Sequence, residues 1–309
     1  MKILVSGYFK MGNFGDELIL EIFKNRFPYK FSYVKSRKNI FKILKFCFKN
    51  DNLIFPGGGV FQQETGFFTV YYYMFLVFLF LLRRKRVFLI NQGFGKMGFF
   101  TKKIFLFLLK RVNFISTRDI SSFNMVRDTG SKVLLGADTA FHLDGLKRKE
   151  KKYVLIIPRG NEKLWITVSK NLRKFFTERV YIIPFQKKRD FELSTKIKKE
   201  VSDSEIFLWR GIDDVLSFFK VAKFVIASCY HAVLLSILFQ IPFVAVFYNR
   251  KVVELLKEFS LEERVLYEEK NLEEIFKKSM DDFEISNIIY KIKEREKRAF
   301  EEFLKCFHT

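Results

Sequence analysis

Apolar runs of three to five residues recur along the first half of the chain and alternate with longer patterns of helical period. The runs Lys2–Val5, Phe31–Val34, Asn52–Phe55, Val87–Asn91, Asn113–Ile115 and Lys132–Leu135 read as strands. Between them, Asp16–Arg26, Ile40–Phe48, Gly66–Arg83, Phe99–Leu109 and Ile120–Asp128 read as helices. The strand runs are continuously apolar rather than alternating, which is the pattern of a parallel sheet covered on both faces. Near Gly145 the alternation stops at a charged stretch, G-L-K-R-K-E-K-K, and then restarts. Tyr153–Ile157, Val180–Ile183, Glu205–Leu208, Lys223–Ile226 and Phe243–Phe247 read as the second set of strands, with helices between them. The expectation is an α/β chain of two Rossmann-like domains, 1–146 and 152–309, facing across a cleft and joined by a basic linker. The charged tail from about Glu284 reads as a long helix, and terminal helices of such folds often pack back on the first domain.

Phe67–Leu82 is apolar throughout and ends on R-R-K-R. It is shorter than the roughly 20 residues that span a bilayer. A strand run follows at once, so the expectation is a buried helix of an α/β domain. The alternative is a helix touching a bilayer, with the arginine cluster among the headgroups.

The chain has 309 residues and a formal net charge of +22. A surface this basic favours anionic partners: phosphorylated small molecules, anionic lipid headgroups or nucleic acid. No helix-turn-helix, zinc-finger or RNP pattern is present, so nucleic acid is not expected as a partner. Three cysteines without CxxC spacing give neither a disulfide framework nor a metal site, and the expectation is no metal and a reducing, cytoplasmic home. Met1–Ser6 already reads as a strand, so no signal peptide is expected.

The candidate chemistry lies at strand ends, where ligands of open α/β sheets bind. His231 follows the run Lys223–Ile226 in A-S-C-Y-H-A, and an imidazole exchanges a proton near neutral pH. The alternative is a histidine bonded to a backbone group at a helix start. G-N-F-G-D-E after the first strand offers free N–H groups, with Asn13 and Asp16 as polar contacts; a plain turn capped by Asp16 is the other reading. P-G-G-G-V-F-Q-Q puts bare backbone at Gly57, Gly58 and Gly59, with Gln62 and Gln63 beside it, either to approach a substrate closely or to let another element pack close. Arg118 in R-D-I-S-S faces an anion or is a surface group beside the helix cap Asp119. Asp138 in G-A-D-T-A-F-H orients a hydroxyl or closes an Asx turn. Arg159 in I-I-P-R-G has the fork geometry of an anion clamp, with Gly160 and a helix start adding N–H donors. Gln186 in I-P-F-Q-K-K-R-D lines the site, while Lys187, Lys188 and Arg189 read as a solvated face. Lys251 in Y-N-R-K-V neutralises phosphate or is surface charge at a helix start.

Taken in order, G-N-F-G-D-E, P-G-G-G, S-T-R-D-I-S-S and the His231 segment resemble the polysaccharide pyruvyl transferase family, from Gly7 to about Val252. That family includes enzymes that pyruvylate cell-wall sugars to anchor surface-layer proteins. The resemblance implies a GT-B-like pair of domains, the first on the acceptor side and the second on the donor side. It implies phosphoenolpyruvate as co-substrate without a further cofactor, and a sugar or lipid-linked saccharide as acceptor. It carries an arginine at Arg159 to the donor, His231 to the catalytic role, and R-D-x-x-S to Arg118, Asp119 and Ser122. An aspartate matches Asp138, a proline–glutamine–aspartate pattern matches the segment of Gln186, and Tyr248 and Lys251 match too. Asn249 replaces a usual aspartate. Just before the histidine the family has arginine and leucine, and here Cys229 and Tyr230 stand at those donor-side positions. Peripheral contact with an anionic membrane at its inner face is a further expectation. The alternatives are a GT-B-like glycosyltransferase using a nucleotide sugar, and a non-catalytic relative that binds glycan or a membrane surface.

Overall fold

The computed structural model describes residues 2–33, 40–63, 67–144, 146, 148–149 and 151–309. Val34 and Gly66, expected at a strand end and a helix start, lie outside these residues, as do Gly145, Lys147 and Glu150 of the expected linker. The chain divides into two compact units. One comprises Met1–Met11, Asp16–Leu143 and Tyr290–Thr309; the other comprises Gly12–Gly15 and Asp144–Ile289.

The strands of the first unit are β1 (Ile3–Val5), β2 (Ser32–Tyr33), β3 (Asn52–Phe55), β4 (Arg86–Gln92), β5 (Phe114–Thr117) and β6 (Val133–Leu135). They form one sheet in the order β2-β1-β3-β4-β5-β6, with every pair parallel. The connecting helices are α1 (Phe14–Arg26), α2 (Ile40–Lys49), α3 (Phe67–Leu82), α4 (Phe99–Leu109) and α5 (Ile120–Val126). Side chains alternate across a strand, so each strand feeds two cores. Leu53, Phe55, Val87, Leu89 and Ile115 point to one face, under α2, α3, α4 and α5. Ile54, Phe88, Ile90 and Phe114 point to the other, under Leu20 and Phe23 of α1 and under Phe300, Phe303 and Phe307. The C-terminal helix, whose residues from Tyr290 onward belong to this unit, is fixed by a buried ion pair. Arg26 Nη1 donates to Glu296 Oε1 at 2.5 Å, and Asn91 Nδ2 donates to the same oxygen at 2.9 Å.

The second unit has β7 (Tyr153–Ile157), β8 (Arg179–Ile182), β9 (Ser204–Ile206), β10 (Ala222–Ala227), β11 (Phe243–Val246) and β12 (Val265–Leu266). Its parallel sheet runs β12-β11-β10-β7-β8-β9. The helices are α6 (Glu162–Asn171), α7 (Lys187–Glu200), α8 (Ile212–Lys220), α9 (Tyr230–Leu238), α10 (Arg250–Lys257) and α11 (Leu272–Ser279), and α12 (Ser286–His308) starts here. Val154, Ile156, Val180, Ile182, Phe224 and Ile226 make the core with α6, α7 and α11.

Both units are doubly wound and Rossmann-like. In the first, strand order reverses between β1 and β3; in the second, it reverses between β7 and β10. Such switch points open a crevice at the carboxyl ends of the two strands.

The expectation of a buried α3 holds for one face only. Val70, Tyr73, Leu76, Val77 and Phe80 are buried, but Phe68, Phe75, Phe78 and Leu82 are exposed. Among the described residues no helix is long and apolar enough to cross a membrane.

Candidate active site

The second switch point collects the histidine, the arginine and the first-loop residues. Arg159 follows β7, and Ser228 and Cys229 follow β10. Ser228 Oγ donates to the Arg159 carbonyl at 2.9 Å, which ties the two strand ends together. The Arg159 guanidinium is held by Asp190 of α7 in a two-point fork: Nε to Oδ1 at 3.0 Å and Nη2 to Oδ2 at 2.7 Å. Asp190 is buried, and its Oδ2 also accepts from the Gln186 backbone N–H at 2.7 Å. Burial works against the Arg159 charge, but its charged surroundings, the forked Asp190 carboxylate among them, more than offset it. Its pKa is raised above the usual arginine range.

Cys229 is the residue before α9 and makes no capping hydrogen bond with its side chain. Burial pushes its thiol up to about 12, against the pull of Arg159. Burial thus favours the neutral thiol. With 4% exposure it also fills its place, so a larger side chain here would have to displace its neighbours.

His231 stands in the first turn of α9, edge-on to Tyr230 with ring centroids 5.2 Å apart. Its ring lies directly on the backbone of Gly15: a Cβ there would fall 2.0 Å from His231 Nδ1. The loop that brings Gly15 is bonded to the residues after β8. Phe14 N–H donates to the Phe185 carbonyl at 2.8 Å, and Lys187 N–H donates to the Gly12 carbonyl at 3.1 Å. This antiparallel bridge pairs Asn13 with Gln186. Gly12, at φ +73°, supplies the left-handed turn into it. Asn13 Oδ1 accepts from Gly15 N–H at 3.3 Å, capping α1 from the position before it. Phe14 anchors the loop against Phe185 and, edge to face, Trp209. Lys187, expected on a solvated face, has its ammonium 4.0 Å from the Trp209 ring centroid.

Tyr248, after β11, packs on Gly160, where a Cβ would fall 2.0 Å from its Cδ2; Gly160 has φ +67°. Its hydroxyl accepts from Arg189 Nη2 at 2.7 Å, so Arg189 also has a partner at this crest. Asn249 precedes α10 without capping it, and its Oδ1 is buried with no hydrogen-bond partner among the described residues. Half-buried Lys251 lies in the first turn of α10. The starts of α6, α9 and α10 follow β7, β10 and β11 along this crest, and their N–H groups favour an anion.

The first switch point is built differently. Gly57 and Gly58 after β3 have φ +138° and +91°. A Cβ on Gly57 would lie 2.8 Å from Thr139 Oγ1, and one on Gly58 3.5 Å from Asp16 Oδ1. Gly58 bridges to Gln92, Gly59 is half-buried and Gln62 is buried. Gln63 serves the protein itself: its Oε1 accepts from the Gly98 N–H at the start of α4. Arg118 is buried and donates to Asp138 Oδ2 at 3.2 Å. Asp138 Oδ1 accepts from Ala140 N–H at 3.0 Å, closing a local turn. Asp119 Oδ1 accepts from Ser122 N–H at 2.7 Å and caps α5, and Ser122 Oγ accepts from Phe94 N–H at 2.8 Å. The structure thus brings Asn13, Gln186, Arg159, Cys229, Tyr230 and His231 together on the second unit. It groups Asp16, Gly57 and Gly58 on the first, with Arg118 and Asp138 paired to each other.

Sequence reasoning met Asp190 only as the aspartate of the proline–glutamine–aspartate pattern, and Gly15 only as a turn glycine of G-N-F-G-D-E; their contacts with Arg159 and His231 were not expected. No group of three or more His, Cys, Asp or Glu placed to hold a metal ion occurs among the described residues.

Comparison with known proteins bears on both fold and family. No curated protein sequence matches the chain. Among solved structures, the UDP-GlcNAc 2-epimerase of Methanocaldococcus jannaschii, in complex with UDP-GlcNAc and UDP, matches with TM-score 0.63 and 11% identity, over 98% of this chain and 99% of that one. A putative UDP-N-acetylglucosamine 2-epimerase of Listeria monocytogenes matches with TM-score 0.61 and 9% identity, over 98% and 94%. The S. aureus MnaA–UDP structure matches with TM-score 0.60 and 11% identity, over 96% and 91%. At such identities the likeness is one of fold, GT-B-like with two Rossmann-like domains. The family model that describes polysaccharide pyruvyl transferases matches residues 13–250, a span that runs from Asn13 of the first loop through His231 to the start of α10. This chain belongs to the polysaccharide pyruvyl transferase family.

Proposed function

We propose that the protein moves the enolpyruvyl carbons of phosphoenolpyruvate onto two hydroxyls of a sugar, releasing phosphate and leaving a pyruvate ketal. The acceptor is a cell-surface polysaccharide or its lipid-linked precursor, met on the cytoplasmic side. The observation that carries this reading is the convergence of Arg159 and His231 at the second switch point, among three helix starts.

A trianionic donor needs fixed positive charge, and its C3 needs a proton. Asp190 occupies Nε and Nη2 of Arg159, which orients the guanidinium and leaves Nη1 for the donor carboxylate or phosphate. Lys251 and the α9 and α10 N–H groups assist. His231 delivers a proton to C3, making the methyl group, while a sugar oxygen bonds to C2 and gives up its own proton. The C2–O bond to phosphate then breaks, and the second hydroxyl closes the ketal. Two hydroxyl protons are thus released, one replacing that taken up at C3 and one leaving with phosphate or solvent. Acceptor hydroxyls are assigned to Asn13 and Gln186, which bridge each other on the same unit as the donor residues. Asn249 Oδ1, an acceptor with no partner among the described residues, is a further contact in this scheme.

Phosphate release from phosphoenolpyruvate with candidate sugar acceptors tests the proposal, alongside calorimetric titration of the donor. His231→Ala is expected to lower turnover by about 10²–10⁴-fold while donor binding persists. Wild-type turnover in this variant would remove His231 from the reaction. Heat with a nucleotide sugar and none with phosphoenolpyruvate would move the reading to a glycosyltransferase. Binding of neither, with polysaccharide still bound, would make the chain a non-catalytic relative.

A further inference from the structure

We infer that the outer face of α3 and α4 is a docking surface for an anionic lipid bilayer, into whose headgroup layer its aromatic side chains insert. The inference uses a part of the first unit remote in chemistry from the donor residues, and it stands whether or not the donor reading does.

A helix on the outside of an α/β unit ordinarily turns polar residues to water. α3 contains no charged residue at all. Phe68, Phe75, Phe78 and Leu82 recur at intervals of seven, three and four, which places them on one stripe, and each is exposed, Phe68 at 83%. α4 packs beside α3, and the Tyr71 hydroxyl and Thr101 Oγ1 join them at 2.7 Å. On α4 the exposed residues include Phe99, Phe100, Ile104 and Phe107, Phe100 at 78%. Single exposed apolar residues need no explanation, but eight on two adjacent helices form a patch of the kind that meets a partner.

Charge decides which partner. Between Glu64 and Asp119 the sequence has ten Lys and Arg and no Asp or Glu. Arg118 is buried against Asp138 and Lys85 and Arg86 pair with Asp51 and Asn52, but others of the ten are interleaved with the rings: Lys103 Nζ lies 4.3 Å from the Phe99 ring centroid, and the Arg111 guanidinium 5.5 Å from that of Phe107. Arg83, at the end of α3, stacks on Phe48 of α2 with its guanidinium 4.7 Å from the centroid. Helices between parallel strands all return in one direction. Arg83 and Arg84 after α3 therefore gather with Lys110 and Arg111 after α4 at the same end of the unit. Aromatic and aliphatic groups framed by Lys and Arg match the interface of an anionic membrane, where rings sit among the headgroups and long cationic side chains reach phosphate. A second copy of this chain is a poor occupant, because a two-fold contact would set this positive field against itself.

Co-sedimentation with vesicles tests the inference, using the full chain, phosphatidylcholine vesicles, and the same vesicles with about a third phosphatidylglycerol. The wild type should bind the anionic vesicles at least tenfold more tightly, with a residue of binding that survives high salt because the rings insert. F100E/F107E, altered only at exposed positions, should lose more than tenfold with an unchanged melting temperature. K102Q/K103Q/K110Q should lose about fivefold per charge removed. Equal binding to both vesicle types, or no loss in either variant, overturns the inference. So does a lipid-free dimer that F100E/F107E converts to monomer while the wild type ignores vesicles.

Discussion

The two switch points share a topology and differ in what lines them. On the first unit the crest is mostly backbone: Gly57 and Gly58 at positive φ, with Arg118 buried against Asp138. On the second the crest is side chain: Arg159 forked to Asp190, His231 resting on Gly15, Tyr248 on Gly160. Both hold an Arg–Asp pair, yet the pairs differ in exposure. The Arg118 and Asp138 side chains are 4% and 0% exposed, whereas Arg159 keeps 15% beside a carboxylate with 1%. The lesson is that one fold supports a crest fitted for close approach and a crest fitted for charge, according to which residues follow the strands.

The largest effect that separates the two comes from removing each carboxylate. Asp138→Ala should cost about 1.5–3 kcal/mol of stability, because a buried guanidinium loses a charged hydrogen-bond partner while keeping Asp119 at 3.7 Å, and should leave the donor affinity of the surviving folded protein unchanged. Asp190→Ala should cost both stability and donor affinity, since it releases the Arg159 fork. Urea denaturation paired with calorimetry reads both; equal loss of donor binding in the two variants would erase the distinction.

Glycine substitutions sharpen the contrast next. Gly15→Ala places a Cβ 2.0 Å from His231 Nδ1, so the ring must move. Turnover should fall about a hundredfold, with little change in melting temperature. Gly57→Ala meets a φ of +138° and Thr139 Oγ1 at 2.8 Å, so its main effect should be a loss of about 1–3 kcal/mol of stability. An unaltered pH–rate profile and rate for Gly15→Ala would show that the ring's seat is unimportant.

Cys229→Arg comes after these. Restoring the family's residue would tighten donor binding only with room for it, and the buried thiol beside Arg159 offers none. The expected result is a lower melting temperature and no gain in donor affinity. Tighter binding in a stable variant would mean that the crest opens for it.

The smallest effect is alkaline. Each unit carries one buried thiol, Cys47 pushed by burial up to about 11 and Cys229 up to about 12. Their folded pKa values lie above the unfolded value of about 8.5, so the unfolded chain loses these protons first. Stability from this source is complete below about pH 8.5 and declines as pH rises toward 11 and 12. Urea midpoints between pH 8 and 10.5 should fall less steeply for Cys229→Ala than for the wild type. Parallel curves would contradict the account.

How much of this was legible depended on range along the chain. The eleven expected strands are all present because each is a short apolar run bounded by polar or turn residues, and the structure moves their ends by one or two residues. β12 (Val265–Leu266) escaped because two residues make no run. Arg159 and His231 were visible as polar residues following apolar strands. Asp190 was visible as the aspartate of a matched pattern, but its partner was not, because an acid among Lys and Arg looks like any helix start until the chain folds Arg159 onto it. The apolar character of α3 was plain, but not that one face of it stays exposed.

The sequence by itself determined two parallel α/β units, the strand ends that carry their polar residues, and the positive charge of the whole. These follow from local rules: hydrophobic period, turn chemistry and composition. Only the tertiary structure decided that Asn13 pairs with Gln186, that Gly15 seats His231, and that Glu296 anchors the last helix to Arg26 and Asn91. Those contacts join residues up to 270 positions apart. Each side chain involved is compatible with many local structures, and it acquires a partner only when the sheets set the strand ends side by side.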